Sequence, residues 1–407
     1  MAVVSSKKCL IQALLDIVQE RWDHCADLAE QAIEERHSAR LWGLPLTNLG
    51  LIAWPPTSRD RLFVRWHYWW QAHYIDNLVD ASLRRPTKAR QAHIRRTLRA
   101  MRIRNLRRLS RNNYYDDKAW LALAMGRVGE LEKMATPRGY DDLVENIFQG
   151  IDGLTGVLPW RTNETFYNVP TNGPAAILAA RTGRLEIAEQ ILDWIFENLI
   201  NEHGLVMDGL RMRMHGPEVE PAVYSYCQGV VIGACVELAI AQRDAAGVDR
   251  EAVSEVGMTS ITRARGLIEA VARTHLNGDG VLEWPSFGGD GGLFNGILMR
   301  YLALAATELP TPRRRNDEAQ RTARDIVKRT AESAWRYRLE VDGLPVFPAE
   351  WTRDAMMPQS GGLVGATIAG AVASSDIAER DLSVQLGGWM LMEAMCRILR
   401  DESAGES

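Results

Sequence analysis

The stretch Asp152-Gly153-Leu154-Thr155-Gly156-Val157-Leu158-Pro159-Trp160 lies between two helix-like runs, 139–151 and about 173–183. It is a Gly-containing turn, a short apolar strip, then a polar or aromatic residue. The same order returns at His203-Gly204-Leu205-Val206-Met207-Asp208-Gly209, at Gly278-Asp279-Gly280-Val281-Leu282-Glu283-Trp284 and at Asp342-Gly343-Leu344-Pro345-Val346-Phe347. From Gly153 through Gly204 and Gly280 to Gly343 the intervals are 51, 76 and 63 residues. Self-similarity at such spacing marks a repeat architecture. Each turn follows a helical run (139–151, 185–201, 259–276, 319–339) and precedes another (about 173–183, 226–243, 291–307, 361–373). Helix hairpins in this series form either a curved solenoid or a closed toroid. Six of them close into an (α/α)6 barrel, so the expected fold is all-α, with polar and aromatic loops gathered around one mouth.

Working outward, residues 9–36 carry Ile11, Leu14, Leu15, Val18, Trp22, Cys25, Leu28, Ala32 and Ile33 at spacings of three and four, an amphipathic helix. With a Gly/Pro connector it makes an N-terminal unit, 1–57, an extra helix packing on a catalytic domain of 58–400. A last helix covers 385–400, and 401–407 read as a frayed tail. A second helix is expected over 59–82, where Trp66-His67-Tyr68-Trp69-Trp70-Gln71-Ala72-His73 is too aromatic on every side for a wet face. Such a stretch is either deeply buried or lines a cavity. Asp76 and Asp80, four apart, share a face that reads as solvent-exposed, with cavity lining the alternative.

Composition excludes some functions. The 407 residues are 46% hydrophobic and 25% charged with net charge −4, ordinary for a soluble globular chain and without bulk attraction to nucleic acid. Residues 84–111 depart from this, with twelve Lys or Arg and no acid. A solvated helix face is the default reading of that run, and docking of an anionic partner such as a glycolipid is the alternative. No aromatic interleaves it, so single-stranded nucleic acid has little to stack on. The five cysteines, Cys9, Cys25, Cys227, Cys235 and Cys396, lack metal spacing and read as free thiols, which favours a reducing compartment. No signal-like start and no apolar run of membrane-spanning length is evident. The expectation is a cytoplasmic protein without a transmembrane segment, metal or cofactor.

Chemistry concentrates in Asn112-Asn113-Tyr114-Tyr115-Asp116-Asp117-Lys118-Ala119-Trp120-Leu121. Two adjacent carboxyls precede an apolar helix, beside aromatics that suit a sugar face. Neighbours on a turning backbone point apart, so two such carboxyls can flank one glycosidic bond. Helix capping is the competing reading. Loops after each turn add Asn, Gln, Asp, Trp and Tyr, the groups that bind a neutral polyhydroxylated ligand.

These motifs resemble glycoside hydrolase family 76, the endo-α-1,6-mannanases, in its actinobacterial form. The resemblance runs in order through Tyr-Trp-Trp-Gln-Ala-His at 68–73 with Asp76, Tyr114-Tyr115-Asp116-Asp117 before Trp120, Asn168…Asn172-Gly173, and Leu205-Val206 then Asp208-Gly209. It continues through Tyr226 with Gln228-Gly229 and Asp290 before Leu293-Phe294…Gly296. It implies an (α/α)6 barrel and metal-free retaining hydrolysis of α-1,6-linked mannose oligo- or polysaccharide. By position Asp116 would be the nucleophile and Asp117 the general acid/base. Tyr115, Trp160, Asn168, Asn172, Asp208, Tyr226, Gln228 and Asp290 would contact the sugar. Two residues depart from the family pattern: Cys227 stands where Asn is usual, and Asn295 where Lys is usual. Two other classes remain open at this point. One is a sugar epimerase, lyase or hydratase on the same barrel, using bases such as His203, His215 or His275. The other is a non-catalytic helical-repeat glycan binder.

Overall fold

The structure is a computed structural model and describes residues 2–312, 317–359, 367–368 and 370–404. In chain order its helices are α1 (Ala2–His37), α2 (Ser58–Arg61), α3 (Tyr68–Arg84), α4 (Lys88–Arg104), α5 (Tyr115–Glu130), α6 (Tyr140–Phe148) and α7 (Val169–Arg181). They continue with α8 (Leu185–Asn198), α9 (Ser225–Ala246), α10 (Met258–His275), α11 (Gly291–Glu308), α12 (Glu318–Arg336) and α13 (Leu382–Ala404). Helices α3, α5, α7, α9, α11 and α13 pack in sequence, and α13 returns to α3 to close the ring. Outside it, α4, α6, α8, α10 and α12 each cover the inner helix before them, and α1 covers α13. The N-terminal helix thus has a defined place: it is the twelfth barrel helix, the outer partner of the last inner one.

Burial follows from composition. The inner helix α9 is buried without a break from Ser225 to Val236, as a helix apolar on all sides must be. By length and hydropathy this helix could cross a membrane, contrary to the sequence expectation, but 78% of its most apolar window is buried inside the protein. Glycines let the ring close tightly. A Cβ on Gly229 would come within 2.7 Å of the Leu298 backbone, and one on Gly296 within 2.7 Å of the Gly387 Cα.

A repeated side-chain clamp fixes the mouth. The fourth residue of an inner helix carries a buried amide that bonds both backbone groups of the apolar strip leading into that helix. Gln71 holds Gly50 (2.8 and 2.9 Å), Asn172 holds Leu158 (2.9 and 2.8 Å), Gln228 holds Val206 (2.8 and 2.8 Å) and Gln385 holds Phe347 (2.9 and 3.0 Å). On α11 the amide comes one residue later: Asn295 donates to the Trp284 carbonyl (3.1 Å) and accepts from the Ser225 hydroxyl (2.6 Å). Buried backbone groups demand partners, and these amides supply them where no extended ladder exists. On α5 the fourth residue is Lys118, whose Nζ donates to Asn146 Oδ1 at 3.0 Å and sits 3.6 Å from the Tyr115 ring centre.

Several boundaries differ from the sequence reading. The expected helix 59–82 is broken, because Phe63 (φ 52°) and His67 (φ 43°) turn the chain between α2 and α3. Of the expected helix 361–373, residues 361–366 and 369 lie outside the described residues, while 367–368 and 371–372 pair as antiparallel strand. Short strand pairs elsewhere stay at the loops, the largest joining 166–168, 209–213 and 216–220. Asp401–Ala404 continue α13 and are not a tail, and 405–407 lie outside the described residues. Four of the cysteines are buried and free; Cys9 is outside the described side chains. Asp76 and Asp80 are not solvent-facing: they pair with Arg127 and Arg300 inside the barrel.

Candidate active site

The first turn of α5 holds the two carboxyls. Its N-cap is Tyr114, which makes no side-chain cap bond. Asp116 and Asp117 therefore follow the cap and enter the helix, where the free N–H groups and the helix dipole favour a negative charge. Strand-like pairing of 113–115 with 160–162 brings Trp160 alongside, through Tyr115 N–H to the Trp160 carbonyl (2.9 Å) and Thr162 N–H to the Asn113 carbonyl (2.9 Å). As a result the Trp160 indole N–H donates to Asp116 Oδ2 at 2.9 Å, and the Asp117 N–H donates to Asp116 Oδ1 at 2.8 Å. Asp117 Oδ2 accepts from the Asn112 amide at 2.5 Å.

Both carboxyls line a cavity of about 560 Å³ at the mouth. A larger cleft of about 990 Å³ lies on the outer wall beside α10 and α12, and contains neither carboxyl. The chemistry therefore belongs to the smaller one. Burial pushes Asp116 up to about 7, against the pull of the Trp160 and Asp117 N–H groups, with the Asp290 charge adding to the rise. Burial and then the charge of Asp116 raise Asp117 well above the usual carboxylate range, opposed by Asn112. Two coupled acids in one dry site cannot both ionise cheaply. Asp116, with two N–H donors, is the group placed to ionise first, and Asp117 the one placed to keep a proton.

The other expected residues divide into three groups. Trp160, Asn168, Asp208, Tyr226 and Asp290 line the cavity. Asn168 Oδ1 and Asp208 Oδ1 are buried there without a partner among the described residues, acceptors left open for a hydroxylated ligand. Burial, then the Glu220 charge, pushes Asp208 up to about 7. Asp290 lines the wall, yet its carboxylate is taken up by protein: the Trp69 and Trp70 indoles donate to one oxygen (2.8 and 2.9 Å) and Val372 N–H to the other (2.6 Å). Tyr115, Asn172 and Gln228 do not line the cavity. The Tyr115 ring packs at Gly150 and under Lys118, and both amides are fully committed to their clamps. Cys227 and Asn295 are also buried away from the cavity.

Sequence reasoning missed Trp69, Trp120 and Phe294 as wall residues. Trp69 lies within 6.4 Å, ring centre to ring centre, of each of Trp120, Tyr226 and Phe294, and Tyr226 stacks on Phe294 at 3.9 Å and 15°. The all-round aromatic character of 66–73 was the available signal.

One pH effect follows from the Trp160 bond. Replacing Trp160 with Phe keeps a ring against Tyr114 and Phe166 but removes a donor to the Asp116 carboxylate. Asp116 would then ionise less readily, and the acidic limb of kcat/KM should move to higher pH by about one unit. A pH profile of the two proteins checks this; an unmoved limb would mean that the indole does not tune Asp116.

Comparisons with known proteins identify the family. The chain matches the model of glycosyl hydrolase family 76 over residues 47–378. Among solved structures it is similar to the α-1,6-mannanase of Salegentibacter sp. HEL1_6, at 25% identity and TM-score 0.70, covering 92% of this chain and 98% of that one. An inactive doubly substituted variant of that mannanase, in complex with α-1,6-mannotriose, gives 24% identity and TM-score 0.71 over 93% and 99%. The Lin0763 protein from Listeria innocua gives 23% and 0.70 over 92% and 96%. The comparison with curated proteins gives no significant match. With the family model matching most of its length, a closed ring of six helix hairpins and paired carboxyls at the mouth, the chain belongs to glycosyl hydrolase family 76.

Proposed function

We propose that this glycoside hydrolase cleaves α-1,6-mannosidic linkages by a retaining, metal-free mechanism, acting within oligo- or polysaccharides. The observation that carries the reading is the unequal environment of the adjacent carboxyls. Asp116, held by two N–H donors at a helix N-terminus, serves as nucleophile. Asp117, whose proton is retained by burial and by its neighbour's charge, protonates the leaving oxygen. After the glycosyl-enzyme ester forms, the ionised Asp117 takes a proton from water, which attacks the anomeric carbon and frees Asp116. Around the reacting sugar, Asn168 and Asp208 offer open acceptors, and Tyr226, Trp69 and Trp160 offer flat walls.

The bond types of the solved relatives supply the choice of α-1,6-mannose. An epimerase is less well supported, because His203, His215 and His275 do not line the cavity. The test is proton NMR of α-1,6-mannotetraose during hydrolysis. Release of the α-anomer first supports the reading; release of the β-anomer or an intact tetramer would overturn it.

A further inference from the structure

Beside the mouth, three loops put apolar side chains into solvent. Trp42, Leu46, Leu62, Val64 and Leu106 are each more than half exposed (52, 62, 59, 60 and 66%), and Leu44 is 38% exposed. The loops are one surface. The Trp42 indole donates to the Leu62 carbonyl at 2.9 Å, and the Arg104 guanidinium lies 5.9 Å from the Trp42 ring centre and 5.6 Å from that of Trp66. This surface adjoins the cavity on both sides. Residues 66–69 run from it into the wall, and 105–114 run from Leu106 to Asn112, which bonds Asp117.

Charge around these tips has one sign. Arg40, Arg107, Arg108 and Arg111 are exposed on the same loops, and Arg59 and Arg61 on α2 beside them. In 38–67 the only acid is Asp60, and it is buried in the capping box with Thr57. In 84–115 there is none. Ion pairing inside the protein removes only part of the basic run: Arg84 and Arg90 bind Asp27, Glu30 and Glu393.

Backbone strain points the same way. Nine non-glycine residues have positive φ among the described residues, and six of them, Trp42, Leu46, Phe63, His67, Leu106 and Arg107, lie in these three loops. Left-handed backbone is unfavourable for such side chains and marks sites where something else requires the geometry. Of the six, Trp42, Leu46, Leu106 and Arg107 are exposed.

We propose that this rim docks on an anionic phospholipid bilayer, with Trp and aliphatic tips entering the interface and the arginines facing the headgroups. Exposed apolar patches of this kind mark interaction sites. Trp sits preferentially at the interface, and basic residues draw it to anionic lipid. The arrangement would hold the cavity against glycan carried at a membrane. The proposal stands on the rim alone and is independent of which bond the enzyme cleaves.

Flotation with vesicles of phosphatidylcholine, with and without phosphatidylglycerol, tests it on the full chain. Wild type should float with the anionic vesicles only, and less as salt rises. The variant Leu46→Asn/Leu62→Asn/Leu106→Asn should bind about tenfold more weakly. Asn tolerates the left-handed backbone at 46 and 106, so folding is retained, and hydrolysis of soluble oligomers should be unchanged. Arg107→Gln/Arg108→Gln/Arg111→Gln should weaken binding similarly. Wild type that ignores anionic vesicles, or an apolar variant that floats as well as wild type, would overturn the proposal. So would a concentration-dependent dimer abolished by the same leucine changes, which would assign the rim to a second copy. Bare vesicles carry no mannose, so failure here leaves the glycosidase reading untouched.

Discussion

Asp116→Asn and Asp117→Asn should each lower kcat/KM on α-1,6-mannan oligomers by about three to four orders of magnitude, with the fold intact by circular dichroism. The two losses should differ in kind. Asp117 protonates the leaving oxygen, so an aryl α-mannobioside with a good leaving group needs it less in the first step. The Asp117→Ala variant should therefore retain much of the first step on that substrate and stall as the glycosyl-enzyme. Added azide, which needs no general base, should then release the α-mannosyl azide. Asp116→Ala has no nucleophile and forms no intermediate; azide should attack directly and yield the β-azide. Equal rescue with one product would assign the roles wrongly. Activity surviving both substitutions would leave the pair as a helix start and nothing more. The reason to expect the stated assignment is local: the Trp160 and Asp117 N–H groups favour an anion at Asp116, and the charge this creates outweighs the Asn112 donor and raises the affinity of Asp117 for its proton.

The sequence carried the barrel because its signal is periodic. A Gly turn, an apolar strip and a helix recur, and each instance demands the same burial. What it did not carry is where distant pieces meet. Nothing local to residues 9–36 says that their helix pairs with the last inner helix, more than 300 positions on (Arg84, between them, ties Asp27 of α1 to Glu393 of α13). Residue type misled at Asn172 and Gln228, because an amide that suits a sugar hydroxyl suits a backbone strip equally well. The correct cue was positional: Gln71, Asn172, Gln228 and Gln385 are all fourth in their helices. Tyr115 was misplaced for a simpler reason. Successive helix residues diverge by roughly 100°, so if Asp116 and Asp117 face the cavity the residue before them faces away.

The largest stability effect should come from the opposite end of the barrel, where Asp76 and Asp80 were misread for want of their partners. Arg300 bonds Asp76 (2.7 Å), Asp80 (2.6 Å) and Asn77 (2.7 Å), and Arg127 bonds both aspartates. The partners of Asp80 lie 47 and 220 residues away in sequence, on α5 and α11, so three inner helices are tied by one network. Burial alone would raise Asp80, yet the two guanidinium groups hold it well below the usual carboxylate range. Arg300→Met would leave a buried carboxylate half-compensated and should cost about 3–5 kcal/mol in the urea unfolding free energy at pH 7. Arg300→Lys should recover only part, since a point charge cannot reach three acceptors in a fixed fork. Adding Asp80→Asn to Arg300→Met should return a share of the loss, because the stranded charge goes with it. The pH dependence has a definite sign. A depressed folded pKa contributes stability above the unfolded value of about 4 and loses it as pH falls below that. The gap between wild type and Arg300→Met should therefore be full at pH 7 and narrow below about pH 4. A gap independent of pH would place the loss in packing of the Arg300 stem and not in its charge.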